Sequence, residues 1–345
     1  MTKDHDEVRD LLAAWAFGAL EPADEKKVPL HLAECEDCAA EAERLRETVR
    51  LLDGPQGPQG PQGPQGPQGP QARPAAETLP LALRSRRATA RVAAHAAPYA
   101  AAVAGLKALL PEAAGRWSTP VVHDWDVHAT LAHLLAADEP LADRLGIDTR
   151  VRPPLDIDAD TPWEDAWNRR TADVIAHEYG RTPEETVAGW AAQADALLAT
   201  PEAHDPELAA HAVTLMGMRL PVAEHFLVRA FETWVHTDDI GRALGLSVPP
   251  PPEAHLWQLV RLAVRILGLS LGPTAPPVLF AVTGGDEWVL GSEDEPVRAE
   301  LTLNPVDFCL LVGGRYAPDE VPRGTNGDEG AVRNVLERAA SLAWL

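Results

Sequence analysis

The sequence predicts a mainly α-helical protein in three parts. These are a small helical module over residues 1–53, a helical bundle over 77–250 and a small α+β domain over 251–345. Three observations predict this. GPQ is repeated six times over residues 54–71 and cuts the chain. Apolar residues recur at helical spacing on both sides of that cut. After VPPPP (248–252), segments such as VLFAV and EWVL read as strands between Gly and Asp turns.

Within the first part, VRDLLAAWAFGAL places Val8, Leu11, Leu12, Trp15 and Leu20 at helical intervals. Pro22 and Asp24 mark a turn. A second helix is expected from about Asp24 to His31, broken near Pro29, and a third from about Cys38 to Leu52. Three short helices make a thin core, and small cores commonly need a staple such as a metal ion. Residues 54–76 form a linker with the collagen period. At roughly 3.1 Å per residue, a polyproline-type spacer over the GPQ repeats at 54–71 would separate its ends by about 50 Å. A short trimerising collagen stub is the alternative.

The bundle is expected to contain an Ala-rich helical stretch from Leu79 to Leu110, then helices over Asp124–Leu145 and Trp163–Tyr179. Thr182, with Glu185 three residues on, forms a capping box that opens the next helix. Pro221 opens a long helix reaching Leu244, which Gly245 ends. In the last part VLFAVTGG, EWVLGS and VRAELTL read as strands, and NPVDFCLLVGGR and GAVRNVLERAASLAWL as helices.

With 345 residues, 46% of them hydrophobic, the chain is long enough for two or three cores. The 52 acidic against 30 basic side chains, a formal charge of −22, repel a phosphate backbone, so no direct nucleic-acid binding is expected. The acidic start MTKDHDEVRD is no signal peptide, and no long apolar run predicts a membrane span, so a cytoplasmic protein is expected. The abundance of Ala and Arg suits a GC-rich genome.

Only three cysteines are present, and two of them stand in HLAECEDC, residues 31–38. Cys35 and Cys38 have the Cys-x2-Cys spacing that lets two thiolates reach one ion, and His31 precedes them by four residues. A structural zinc wants a fourth ligand. Antiparallel packing of the first helix would return His5, although a polar N-terminal His is also at home in solvent. The acidic neighbours Glu34, Glu36 and Asp37 raise thiol pKa values and favour a structural over a redox role.

The stretch HDEVRDLLAAWAFGALEPADEKKVPLHLAECEDC resembles the zinc-binding anti-sigma domain of bacteria, through AFGALEPADE and HLAECEDC. The resemblance covers nearly all of residues 1–50. It implies that His5, His31, Cys35 and Cys38 are zinc ligands. It also implies a partner, an extracytoplasmic-function sigma factor kept from core RNA polymerase. In some members thiol oxidation releases the zinc; in others the metal is structural.

A second candidate lies in the bundle. Glu232 and His236 are i and i+4 on one helix and share a face. A His from a facing helix would complete a His2Glu set with an open fourth position. Spacing alone favours a solvated Glu–His pair over a metal site. WDVHATLAHLL and FETWVHTDDIGRALG resemble the N-terminal domain of mycothiol-dependent maleylpyruvate isomerases, a DinB-like four-helix bundle, over about residues 80–250. That resemblance implies His133, Glu232 and His236 as ligands of zinc or another divalent metal. The open position would take the thiol of mycothiol, which zinc activates for addition to a double bond. An actinobacterial origin follows with it. The tail resembles the C-terminal domain often attached to this family, and Arg315 falls at its GR position, where it would face the metal cleft; such an Arg also suits a surface turn. Cys309, in DFCLLV, reads as a buried small hydrophobe.

Two functions follow as expectations. One is a zinc-binding anti-sigma factor whose isomerase-like domain senses a small thiol, metal or ligand. The other is a mycothiol-dependent isomerase or thiol transferase with an accessory zinc finger.

Overall fold

The computed structural model describes residues 92–151 and 162–342, together with residues 5, 8, 9, 11, 12, 28, 31, 32, 35, 37–42, 44 and 45. The GPQ linker and the part of the Ala-rich stretch before residue 92 lie outside the described residues. The chain divides into two compact units, Met1–Ala88 and Thr89–Leu345.

In the first unit Val8, Leu12, Val28, Cys38 and Ala42 are buried together, with Leu11, Leu32, Cys35 and Leu45 packed against them. Val8 and Leu12 are helical and one turn apart, and residues 37–42 are helical. Backbone bonds from Cys35 N to His31 O (2.9 Å) and from Ala39 N to Cys35 O (3.0 Å) wind the Cys-x2-Cys segment. Arg9 Nε meets Glu41 Oε2 at 3.2 Å.

The second unit opens with α1 (Ala97–Leu109) and a 3-10 turn, Leu110–Ala113. A hairpin of β1 (Pro120–Val122) and β2 (Trp125–Asp126) leads into α2 (Val127–Arg144). Next come α3 (Trp163–Glu178), α4 (Pro183–Leu198) and a single turn, Pro201–His204. A second hairpin, β3 (Ala212–Leu215) and β4 (Met218–Pro221), feeds α5 (Val222–Leu244). The helices α1, α4, α2 and α5 close a ring, each against the next, with α3 laid on α2. This is a four-helix bundle with one added helix.

Local chemistry explains the helix ends. Thr182 accepts from Glu185 N while the Glu185 side chain accepts from Thr182 N, the reciprocal box the sequence announces. Gly245 ends α5 at φ 73°, a left-handed conformation that costs a Cβ-bearing residue energy. Two boundaries differ from expectation. Among the described residues the Ala-rich helix begins at Ala97, since residues 94–96 are turn and 92–93 are irregular. The helix expected from Asp124 begins at Val127, because residues 120–126 form the first hairpin. Asp126 caps it by accepting from Ala129 N at 2.8 Å.

Beyond the prolines, α6 (Glu253–Leu271) is a helix that the strand reading passes over. It packs on α5 and on the two helices that follow. Then come β5 (Val278–Val282), β6 (Glu287–Leu290), β7 (Ala299–Leu303), α7 (Pro305–Val312), β8 (Arg323–Gly327) and α8 (Glu329–Ala340). The sheet order is β6-β5-β7-β8, parallel only between β5 and β7. Burial alternates along β5 and β7, as for strands with different surroundings on their two faces. Bundle and sheet share one continuous core within this unit, Cys309 included. Among the described residues no helix is long and apolar enough to cross a membrane.

Candidate metal centres

In the first unit the helical turn at residue 5 returns to the Cys-x2-Cys segment. His5 Nδ1 lies 3.5 Å from Cys35 Sγ and 3.6 Å from Cys38 Sγ. The His5 and His31 rings have centroids 5.6 Å apart. One ligand atom from each of His5, His31, Cys35 and Cys38 lies within 4.8 Å of all the others. His31 Nε2 is buried without a hydrogen-bond partner. Burial, then the hydrogen bond and charge of Cys35, push the Cys38 thiol up. A cation reverses that balance, since a coordinating thiol is deprotonated outright. Two imidazoles, two sulfurs and an orphaned ring nitrogen fit a four-coordinate zinc.

In the second unit α2 supplies His133, and α5 supplies Glu232 and His236 one turn apart. Their ligand atoms also converge within 4.8 Å. His133 Nε2 is 2.8 Å from Glu232 Oε1, and the two imidazole centroids are 4.9 Å apart. All three side chains are only 3–6% exposed. Trp125, from the first hairpin, stacks on His133 at 4.5 Å, and Trp167 meets the same ring edge-on at 5.7 Å. The indoles hold the imidazole plane and dry the site. His123 at the hairpin tip has φ 53° and lies edge-on to Trp125.

Behind the three stand charged partners. His236 Nδ1 is 3.1 Å from Asp239 Oδ2, one turn along α5. Arg315 reaches the same carboxylate with two nitrogens, Nε to Oδ1 at 3.0 Å and NH2 to Oδ2. Arg315 is therefore a half-buried ion-pair partner of Asp239 rather than a solvated turn residue. A carboxylate behind a ligating His fixes its tautomer and ring orientation. Asp239 is readable in HTDD at i+3 from His236, yet its partner, 76 residues away, is not.

Electrostatics favours cation binding. Burial holds His236 down at about 4, against the opposing hydrogen bond of Asp239. Burial also works to raise Glu232, but the Arg229 charge, with lesser help from His133 and His236, brings it to about 2. Neutral imidazole and ionised carboxylate are the forms that bind metal. His133 Nδ1 is buried without a hydrogen bond, and Glu232 Oε2 is held by the Arg229 ion pair at 2.7 Å. Two imidazoles and one carboxylate fit a divalent cation with a fourth coordination position open.

Of the other histidines, His128 bonds Thr186 Oγ1 at 2.9 Å, and His225 Nε2 meets the Val213 carbonyl at 3.2 Å. Both are satisfied by the fold.

Comparison with known proteins agrees with this division. Residues 96–241 match the family model described as Mycothiol maleylpyruvate isomerase N-terminal domain, and residues 6–39 match the model described as Putative zinc-finger. Two uncharacterized proteins from two strains of Mycobacterium tuberculosis are each 34% identical over 108 residues, 29% of this chain. The chain spans 40% of the length of those relatives. Two crystal structures of the mycothiol-dependent maleylpyruvate isomerase, one of them a mutant, align with TM-scores of 0.48 and 0.47. Each is 14% identical and covers 67% of this chain and 91% of its own. In sequence order, the chain carries a segment of zinc-finger type and a domain of the mycothiol maleylpyruvate isomerase N-terminal type.

Proposed function

We propose that this chain is a cytoplasmic, zinc-binding anti-sigma factor. Its first unit binds an extracytoplasmic-function sigma factor, and its isomerase-like domain responds to a metal or a small thiol such as mycothiol. The observation that carries this reading is the convergence of His5, His31, Cys35 and Cys38 on one point, in a segment that matches a zinc-finger family. A zinc ion there, held by all four, would fix the module's small core, and no position would remain open for chemistry.

The test is affinity capture from host extract with the full chain as bait, beside a Cys35→Ser/Cys38→Ser control. A sigma factor is expected on the parent alone, identified by mass spectrometry. Absence of any sigma factor from the parent would overturn the reading.

A second reading is favoured by the burial of His133, Glu232 and His236 and by the carboxylate behind His236. In it the domain is a mycothiol-dependent isomerase or thiol transferase. A bound zinc would lower the pKa of a thiol at its open position. The residues would do the rest. His133, Glu232 and His236 hold the metal, Asp239 and Arg315 orient His236, and Trp125 and Trp167 exclude water. Thiol-transfer activity of the full chain that disappears in His133→Ala would support it; activity unchanged in that variant would refute it.

A further inference from the structure

Arg229 lies one turn before Glu232 on α5 and is 3% exposed. Its NH1 is 2.7 Å from Glu232 Oε2 and donates to the Ala137 carbonyl on α2 at 2.6 Å. Its NH2 is 3.8 Å from Met216 Sδ, in the turn between β3 and β4. Three elements therefore fix one guanidinium. A second buried acid depends on it. Asp138 accepts from Tyr99 Oη at 2.6 Å, and Arg229 is the strongest positive charge opposing the cost of burying it.

The Glu232 carboxylate is consequently divided. Oε1 sits against His133 Nε2 at 2.8 Å, and Oε2 sits against the guanidinium. A buried carboxylate without a counter-charge is free to turn both oxygens to a divalent cation, which fills a coordination position. A cation behind one oxygen removes that option.

We propose that Arg229 is a positioning residue that makes Glu232 a one-oxygen ligand and so keeps a coordination position open for an incoming molecule. This rests on the reading of His133, Glu232 and His236 as a metal site. It goes beyond that reading by assigning the open position to a residue that is not itself a ligand. Arg229 and Arg315 then play parallel parts. Arg315 meets His236 Nδ1 at 3.3 Å and also holds the Asp239 carboxylate beside it, and Arg229 meets Glu232.

The experiment loads the full chain, in a Cys35→Ser/Cys38→Ser background, with Co2+ and records its visible d–d absorption. Intensity falls as coordination number rises. Arg229→Met is expected to lower the molar intensity about twofold or more as Glu232 turns both oxygens to the metal. Arg229→Lys, which keeps a cation beside Oε2, is expected to restore it. Should Arg229→Met leave Asp138 without its opposing charge and fail to fold, Asp138→Asn/Arg229→Met removes that acid and carries the same expectation. Spectra of the folded variants that superimpose on the parent's overturn the inference and leave the metal site standing. A parent that gives no Co2+ absorption overturns the metal reading and the inference with it.

Discussion

The two candidate centres gather similar ligands in opposite surroundings. In the first unit three of the four residues are only half-buried, and the adjoining core consists of Val8, Leu12, Val28, Cys38 and Ala42. In the second unit all three residues are buried in a core that runs through bundle and sheet. The difference teaches which way support flows. A handful of apolar side chains offsets little chain entropy, so a metal in the first unit supports the fold. In the second unit a large core supports the fold, and the cost of burying three polar groups falls on the site.

The largest effect that sharpens this contrast is expected from the first unit. Cys35→Ser/Cys38→Ser in the full chain should remove one zinc per chain and open residues 1–53 to protease, with the second unit left intact. Metal analysis and limited proteolysis read both; a protease-resistant variant module would break the contrast. Next comes His133→Ala, which should abolish the second metal equivalent while helical circular dichroism stays close to the parent's. Unfolding of the bundle in that variant would show that the metal supports both units.

A smaller effect is expected behind the ligands. Asp239→Asn removes the charge that orients His236 and should weaken metal binding by roughly 10–100-fold, as such partners do elsewhere. Competition with a chromophoric chelator measures it, and unchanged affinity would separate Asp239 from the site. The smallest effect is a pH dependence of stability. Burial, opposed by Arg229 and by the Tyr99 hydrogen bond, raises Asp138 from 3.8 to about 7. The folded state then binds the proton more tightly than the unfolded chain. The acid's contribution to stability is complete below about 4 and is lost as pH rises towards about 7. Denaturation of Asp138→Asn across that range should show a shallower decline than the parent's; parallel curves would assign the decline to other groups.

Much of the fold can be read in the residues because its causes are local. Thr182 and Glu185 lie three apart and close their box within one turn. Gly245 stops α5 through its own backbone freedom, and alternation marks β5 and β7. The apolar spacing of α6 is equally local, with Leu256, Leu259, Val260, Ala263, Ile266 and Leu267 on a buried face, but the four prolines before it draw attention to a boundary instead. The two hairpins escape because strands of two to four residues carry too few side chains to show a period.

For the sites, the sequence by itself determined the ligand types and their local spacing. Cys-x2-Cys and Glu-x3-His are set by the geometry of one helical turn, and each brings two donors to one side. Tertiary structure alone decided what joins them. His5 reaches the cysteines across 30 residues, and His133 reaches Glu232 and His236 through the contact of α2 with α5. Arg315 finds Asp239 across 76 residues, and Arg229 finds the Ala137 carbonyl across 92. The physical reason is that a ligand set needs convergence within a few ångströms. Only packing brings distant segments that close, and only a buried surrounding makes each charge there depend on its neighbour.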